Sequence, residues 1–157
     1  MESEIISFDT IGILASQRNR YPLLFVDQII EAVPGKYVKG IKNFSYNEWF
    51  FPAHYDDDPN VPGFIQIESL VQTFIMTFLS FDEYKGSKTN FLDLDDVKFR
   101  RKIVPGDTLE IHAELESFRR GIAKGTAVGT VKGELACSAR FTVSVPRIFE
   151  KFIPNKK

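Results

Sequence analysis

Apolar positions along the chain change period from one stretch to the next, and the changes outline the elements. From Glu4 to Ser16, Ile5, Phe8, Ile11 and Leu14 recur at helical spacing between polar residues, which predicts a short amphipathic helix stopped by Tyr21-Pro22. Leu23-Leu24-Phe25-Val26 leads into a strand at Asp27-Gln28-Ile29-Ile30, Pro34-Gly35 marks a turn, and Tyr37 to Phe44 returns as the second strand of a hairpin. The most apolar run, Phe64 to Leu79, opens at Val61-Pro62-Gly63. Proline suits the first helical position, so the run predicts one long buried helix that closes near Phe78 to Ser80. A polar loop, Gly86 to Asn90, separates it from a C-terminal half made of strands.

Those strands begin with Phe91 to Arg101 and a turn at Pro105-Gly106-Asp107. Leu109, Ile111, Ala113 and Leu115 then alternate with Glu110, His112, Glu114 and Glu116, a half-buried strand with one wet face. From Ile122 to Val131 one face carries Ala123, Gly125, Ala127, Gly129 and Val131, a small-residue strip suited to close approach by a helix. After a turn at Lys132-Gly133, Leu135, Cys137, Ala139, Phe141, Val143 and Val145 form the inward face of the last strand. The order of elements predicts a single α+β domain over residues 1–157, one antiparallel sheet wrapped around one helix. Strand pairing order does not follow from the pattern.

Composition narrows the function classes. Fifteen phenylalanines in 157 residues indicate a packed core, and a net charge of −1 gives no overall pull toward nucleic acid or membrane. The single cysteine, Cys137, excludes an intramolecular disulfide framework and sits on an apolar strand face, as core. Met1-Glu2-Ser3-Glu4 does not open a signal peptide, and the Phe64–Leu79 run is short for a membrane span, so a cytoplasmic protein is expected.

The candidate chemistry lies between Trp49 and Gln72. His54 is one of two histidines, and Glu68 is a carboxylate inside an apolar run, where a charge is paired, protonated or used. The helix start at Val61-Pro62-Gly63 presents free backbone N–H groups that favour a developing negative charge. Together they point to acid–base chemistry beside a polarised carbonyl. Asp56-Asp57-Asp58 reads as a solvated loop, because three consecutive acids point in different directions. His112 falls on the wet strand face.

An ordered set of strings resembles one family. Arg20-Tyr21-Pro22-Leu23-Leu24-Phe25-Val26-Asp27, Pro34-Gly35-Lys36, Ile41-Lys42-Asn43, Asn47-Glu48-Trp49-Phe50-Phe51 and His54 come first. Pro59, Pro62-Gly63, Glu68, Gln72, Val97-Lys98-Phe99-Arg100-Arg101, Val104-Pro105-Gly106-Asp107 and Arg120-Gly121-Ile122 follow. In this order, with fourteen residues from His54 to Glu68, they resemble the hotdog-fold 3-hydroxyacyl-[acyl-carrier-protein] dehydratases of fatty-acid synthesis. The resemblance implies a hotdog fold, a homodimer that often assembles as a trimer of dimers, an acyl tunnel at the dimer interface, and His54 of one subunit meeting Glu68 of the other. Departures lie near the chemistry. Ala53-His54-Tyr55-Asp56-Asp57-Asp58-Pro59 replaces Gly-His-Phe-Pro-Gly-x-Pro, Glu68-Ser69-Leu70-Val71-Gln72 replaces Glu-Ala-x-Ala-Gln, and Asn19 stands where a histidine is usual. They mark a divergent member.

Dehydration needs a base for the α-proton, a proton for the departing hydroxyl and polarisation of the thioester carbonyl. His54 suits the base, a desolvated Glu68 the proton relay, the Gly63 amide the carbonyl, and Gln72 the orientation of Glu68. No cofactor and no metal are expected. Phe51 and Phe64 are candidate acyl contacts among aromatics that otherwise read as core. Arg100, Arg101, Lys102, Arg119, Arg120 and Lys124 are a candidate docking face for an acidic acyl-carrier protein. The rival readings are a thioesterase on the same fold, in which the carboxylate directs water at the carbonyl, and a non-catalytic acyl- or carrier-binding module.

Overall fold

The computed structural model describes residues 4–154. Its centre is α3 (Gly63–Leu79), and from Ile65 to Leu79 every residue of that helix except Glu68 is buried. Seven antiparallel strands curve around it: β1 (Ile6–Phe8), β2 (Gln28–Val33), β3 (Tyr37–Asn43), β4 (Asn90–Phe99), β5 (Thr108–Arg119), β6 (Ile122–Val131) and β7 (Glu134–Ser144), in the spatial order β1-β2-β3-β5-β6-β7-β4. Short helices α1 (Thr10–Ser16), α2 (Phe50–His54) and α4 (Pro146–Phe149), with a 3₁₀ turn at Glu150–Phe152, complete the described elements. This is the predicted α+β arrangement of one sheet around one helix.

The small-residue strip of β6 does what its spacing predicts. A Cβ on Gly125 would stand 2.5 Å from Phe74 Cε2 and closer still to the Glu114 carbonyl oxygen, so the sheet meets α3 with no room for a methyl group. Phe74 stacks on Phe141 of β7 and Phe78 on Phe118 of β5, at centroid distances of 5.7 and 5.0 Å.

Three local expectations change. The predicted N-terminal helix divides at Asp9, whose carboxylate accepts from the Gly12 N–H at 2.8 Å and caps α1, while Ile6 and Phe8 pair with Ala32 and Ile29 of β2. Pro62 is the cap of α3 rather than its first residue. Its carbonyl accepts from the Ile65 and Gln66 N–H groups at 3.1 and 3.2 Å. Leu135 faces solvent, because a bulge pairs Gly129 with Cys137 but Thr130 with Leu135, turning Ala136 into the core in its place. Cys137 is buried as core, and burial pushes its thiol up to about 12.

The strand expected from Asp27 begins at Gln28, and Asp27 itself ties the hairpin, accepting from the Asn43 N–H at 2.6 Å. Lys42, nearly buried, pairs with Glu48 at 2.6 Å and Asp27 at 3.6 Å, which fastens the segment between β3 and α2. That segment carries His54.

Candidate active site

Phe50 and Phe51 anchor α2 by burying their rings, Phe50 beside Phe25 and Phe44, and the Trp49 indole N–H reaches the Pro22 carbonyl at 3.2 Å. His54, the last residue of α2, is thereby held half-buried at the edge of the core. Its Nδ1 lies 3.0 Å from the Asn60 carbonyl oxygen. A carbonyl only accepts, so in neutral imidazole Nδ1 carries the hydrogen and the Nε2 lone pair is free to take a proton. Tyr55 packs on the ring at 4.3 Å, and Asp56, Asp57 and Asp58 are exposed beyond it, with Asp58 paired to Lys102 at 2.5 Å.

Glu68 lies on the second turn of α3. Gln72, one turn on, donates to its Oε1 at 2.8 Å and to the Leu23 carbonyl at 2.7 Å, and accepts from the Phe25 N–H at 2.7 Å. With all three bonds made, Gln72 has a single orientation available. Burial raises the Glu68 pKa, and the bond from Gln72 opposes that shift by favouring the charged form.

Glu68 borders two cavities. One, about 690 Å³, is mostly apolar and is walled by Leu23, Phe25, Phe64, Ile67, Leu92 and Leu94, with Asn19 and Asp93. The other, about 400 Å³, is polar and includes Arg18, Asn19, Gln72, Lys88 and Asn90. Glu68 therefore stands where an apolar chain and a polar group can meet one carboxylate. Gly63 opens α3 with no side-chain cap before it, and a Cβ there would meet the Phe99 ring at 3.0 Å. The first amides of α3 have no partner within the helix.

The candidates separate on this geometry. Glu68, Gln72 and Phe64 gather at the cavities, and Phe64, 66% exposed, forms part of the apolar wall. Phe51 does not join them. It is fully buried, stacked on Tyr46 and tilted against Phe50, because α2 needs an apolar face toward the core. His54 lines neither cavity that Glu68 borders. The basic candidates do not form one face: Arg101 is tied to Glu134 at 2.8 Å and to the Val131 carbonyl at one end of the sheet, while Arg119 and Arg120 form the β5–β6 turn at the other. Lys124 lies in that second half, beside Asp93, Asp95 and Arg140. Sequence reasoning missed the wall contributed by Leu92, Asp93 and Leu94 and the backbone groups of Leu23 and Phe25 that lock Gln72. Asn19, noted only as a departure, lines both cavities.

Among the described residues no group of three or more His, Cys, Asp or Glu side chains is placed to hold a metal, and no helix is long and apolar enough to cross a membrane.

Comparison with known proteins agrees with this architecture. Residues 18–140 match the FabA-like domain. The chain is 42% identical over 122 residues to the 3-hydroxyacyl-[acyl-carrier-protein] dehydratase FabZ of Acetivibrio thermocellus, covering 78% of this chain and 84% of that one. It is 38% identical over 138 residues to the FabZ of Caldicellulosiruptor saccharolyticus, covering 88% and 99%. Among solved structures, the dehydratase heterocomplex ApeI:P from Xenorhabdus doucetiae aligns with a TM-score of 0.74 at 17% identity, over 92% of this chain and 97% of that one, and shares the fold. With the family model spanning most of the chain and relatives near 40% identity, the chain belongs to the FabA-like family of hotdog-fold dehydratases.

Proposed function

We propose that the protein dehydrates 3-hydroxyacyl thioesters carried by acyl-carrier protein to trans-2-enoyl thioesters, in fatty-acid or related acyl-chain synthesis. The observation that carries the reading is Glu68, a carboxylate with a raised pKa, oriented by Gln72 at the junction of an apolar and a polar cavity. The FabZ relatives share that reaction by name.

In this mechanism His54 Nε2 removes the C2 proton, and the electron pair moves into the thioester, whose oxygen is met by the Gly63 amide. The C3–O bond then breaks as protonated Glu68 delivers its proton to the leaving hydroxyl. A C2–C3 double bond forms and water departs. Within one chain His54 does not reach the Glu68 cavities, so the pair is assembled in a homodimer, His54 coming from the second subunit. The edge strand β4 supports that reading, because Phe91, Leu92, Leu94 and Phe99 are exposed along it beside the start of α3.

Incubation with 3-hydroxyacyl carrier proteins of several chain lengths, followed by mass analysis of the acyl arm, tests the proposal. Loss of water from the arm is expected, and His54→Ala should abolish it in a folded protein. Release of free carrier thiol would make the protein a hydrolase. Binding without either product would make it a binding module.

A further inference from the structure

Lys42 is the one lysine or arginine buried among the described residues, and it stands on the core face of β3 with Val38 and Gly40. For stability alone an apolar side chain there would serve as well or better, because a buried ion pair recovers little beyond its own desolvation. What the lysine supplies is direction. Its ammonium donates to Glu48 Oε1 at 2.6 Å and to the Asn43 carbonyl at 3.0 Å, with Asp27 Oδ2 at 3.6 Å. Asp27 is in turn held by the Asn43 N–H and, through its own backbone, by Ile41 and Thr10.

Glu48 stands just before Trp49, at the entrance to α2. An acid in such a place ordinarily turns to the free N–H groups of the helix start. Here α2 has no side-chain cap, and the Glu48 carboxylate reaches back to the sheet, while its carbonyl accepts from the Phe51 N–H at 3.3 Å. A helix of five residues does not hold itself, so its placement comes from outside: the buried rings of Phe50 and Phe51, the Trp49 bond and this ion pair.

At the far end of α2 the acceptor for His54 is fixed independently. One peptide unit carries both the Asn60 carbonyl, 3.0 Å from His54 Nδ1, and the Val61 N–H, which donates to the Ile103 carbonyl at 2.8 Å. The two polar ends of a trans amide point opposite ways, so this plane is pinned between His54 and Ile103. The imidazole stays on its acceptor only while α2 stays in place. Glu48 lies six residues before His54, about 9 Å away along a helix. Once free of the Asn60 carbonyl, neutral imidazole favours its hydrogen on Nε2, a form with no lone pair there to take a proton.

We propose that Lys42 and Glu48 are positioning residues for His54, their bond fixing α2 so that the imidazole hydrogen stays on Nδ1 and Nε2 stays open. Neither residue lines a cavity at Glu68, so both act through the histidine rather than on the acyl chain. The proposal rests on the dehydratase reading and adds to it the origin of the base's tautomer.

The test uses the full chain. Glu48→Ala cuts the tie and leaves Lys42 its other partners, Glu48→Gln keeps an acceptor for Lys42, and Lys42→Met cuts from the sheet side. Gly125→Ala, against Phe74 and away from α2, controls for lost stability, which thermal melts follow. With only two histidines in the chain, ring ¹⁵N signals are assigned by comparison with His54→Ala. In Glu48→Ala and Lys42→Met, kcat on 3-hydroxyacyl carrier protein should fall about tenfold or more with KM within about twofold of wild type. Glu48→Gln should recover most of that loss. The wild-type ring should show a protonated Nδ1 and a bare Nε2, and the two ¹⁵N shifts should draw together in Glu48→Ala as tautomers mix. An unchanged kcat and ring spectrum in Glu48→Ala, or an equal fall of kcat in Gly125→Ala, would make the pair structural and overturn the proposal. A loss in Glu48→Gln as large as in Glu48→Ala would overturn it too, because the carboxylate would then act by charge and not as a tie. If Lys42→Met does not fold, the Glu48 variants decide. If the wild type turns over no thioester, the dehydratase reading fails by itself. The ring spectrum then still decides the tie, mixed tautomers in Glu48→Ala sustaining it and an unaltered spectrum removing it.

Discussion

Gln72 offers a test in which stability and chemistry move separately. In Gln72→Leu the side chain keeps roughly its volume and loses three hydrogen bonds, those to Leu23, Phe25 and Glu68. The Phe25 N–H is buried and has no other partner among the described residues, so stranding it costs about 1–3 kcal/mol. The Leu23 carbonyl, only part-buried beside a cavity, can take water instead and adds about 0.5–1 kcal/mol. Burying the more apolar leucine returns about 1 kcal/mol, which leaves a net loss of about 0.5–3 kcal/mol. For a chain of this size that lowers the melting temperature by roughly 1–12 °C.

The same change removes the bond that favours ionised Glu68, while the larger influence, burial, remains. The Glu68 pKa should therefore rise further, and the limb of the pH profile of kcat/KM that titrates Glu68 should move to higher pH. Thermal melts and pH profiles on this variant, with Gln72→Glu for comparison, read both effects. A lowered melting temperature with an unmoved limb would make Gln72 structural only. A melting temperature within about 1 °C of wild type would refute the accounting of the stranded groups.

Glu68→Gln keeps an acceptor for Gln72 and removes the proton, so turnover should fall roughly 10²–10⁴-fold without a lower melting temperature. Because burial raises the folded pKa of Glu68 above its unfolded value near 4.5, its contribution to stability is fully present below that value and is lost as pH rises through the folded pKa. Urea melts should accordingly show variant and wild type converging in acid and the variant ahead at neutral pH; a constant gap would contradict the desolvation argument. Gly125→Ala forces a methyl group onto Phe74 and the Glu114 carbonyl and should destabilise by about 2–3 kcal/mol in urea unfolding, an amount that an unstrained strand glycine would not show. Co-refolding inactive His54→Ala and Glu68→Gln chains in equal amounts should restore roughly a quarter of wild-type activity if the site spans subunits, since half the dimers are mixed and each has one complete site. No recovery would place both residues in the same chain's site.

Much of the fold was legible because its strongest signals are periodic. The alternation through β5 and the small face of β6 both reflect a sheet with one side on α3, and both strands lie where the pattern puts them. The misreadings occur where a single residue breaks the period. Asp9 competes for backbone N–H groups and cuts a helix-spaced run in two. The extra residue at Ala136 reverses the facing of Leu135, and no apolar pattern announces a bulge. Several strings that carry the family resemblance turn out to be scaffold: Arg20 bonds to the carbonyls of Leu14, Gln17 and Asn19, and Asp27, Lys42 and Glu48 form an ion cluster ahead of α2.

The candidate site was legible where the chemistry is local and illegible where it depends on convergence. Glu68 stands out in any reading because a carboxylate within an apolar run needs a reason, and Gln72 follows from it by one helical turn. The cavity wall does not follow, since helical spacing leaves open which aromatics face a cavity. Phe74 and Phe78 go to the core with Phe51, and edge strand β4 supplies Leu92 and Leu94 instead. Charge shows the same limit more sharply. Arg100 to Lys102 and Arg119 to Lys124 look like one basic region in the sequence, yet β5, twelve residues long, spans roughly 40 Å and lies between them. Arg18, Lys85, Lys88 and Arg147 are scattered over the chain, and the contacts of the 85–88 loop with α1 and α4 bring them to one recess. An extended strand separates neighbours in sequence as surely as a folded loop joins strangers, so a patch of charge becomes readable only once the topology has decided which charges share a wall.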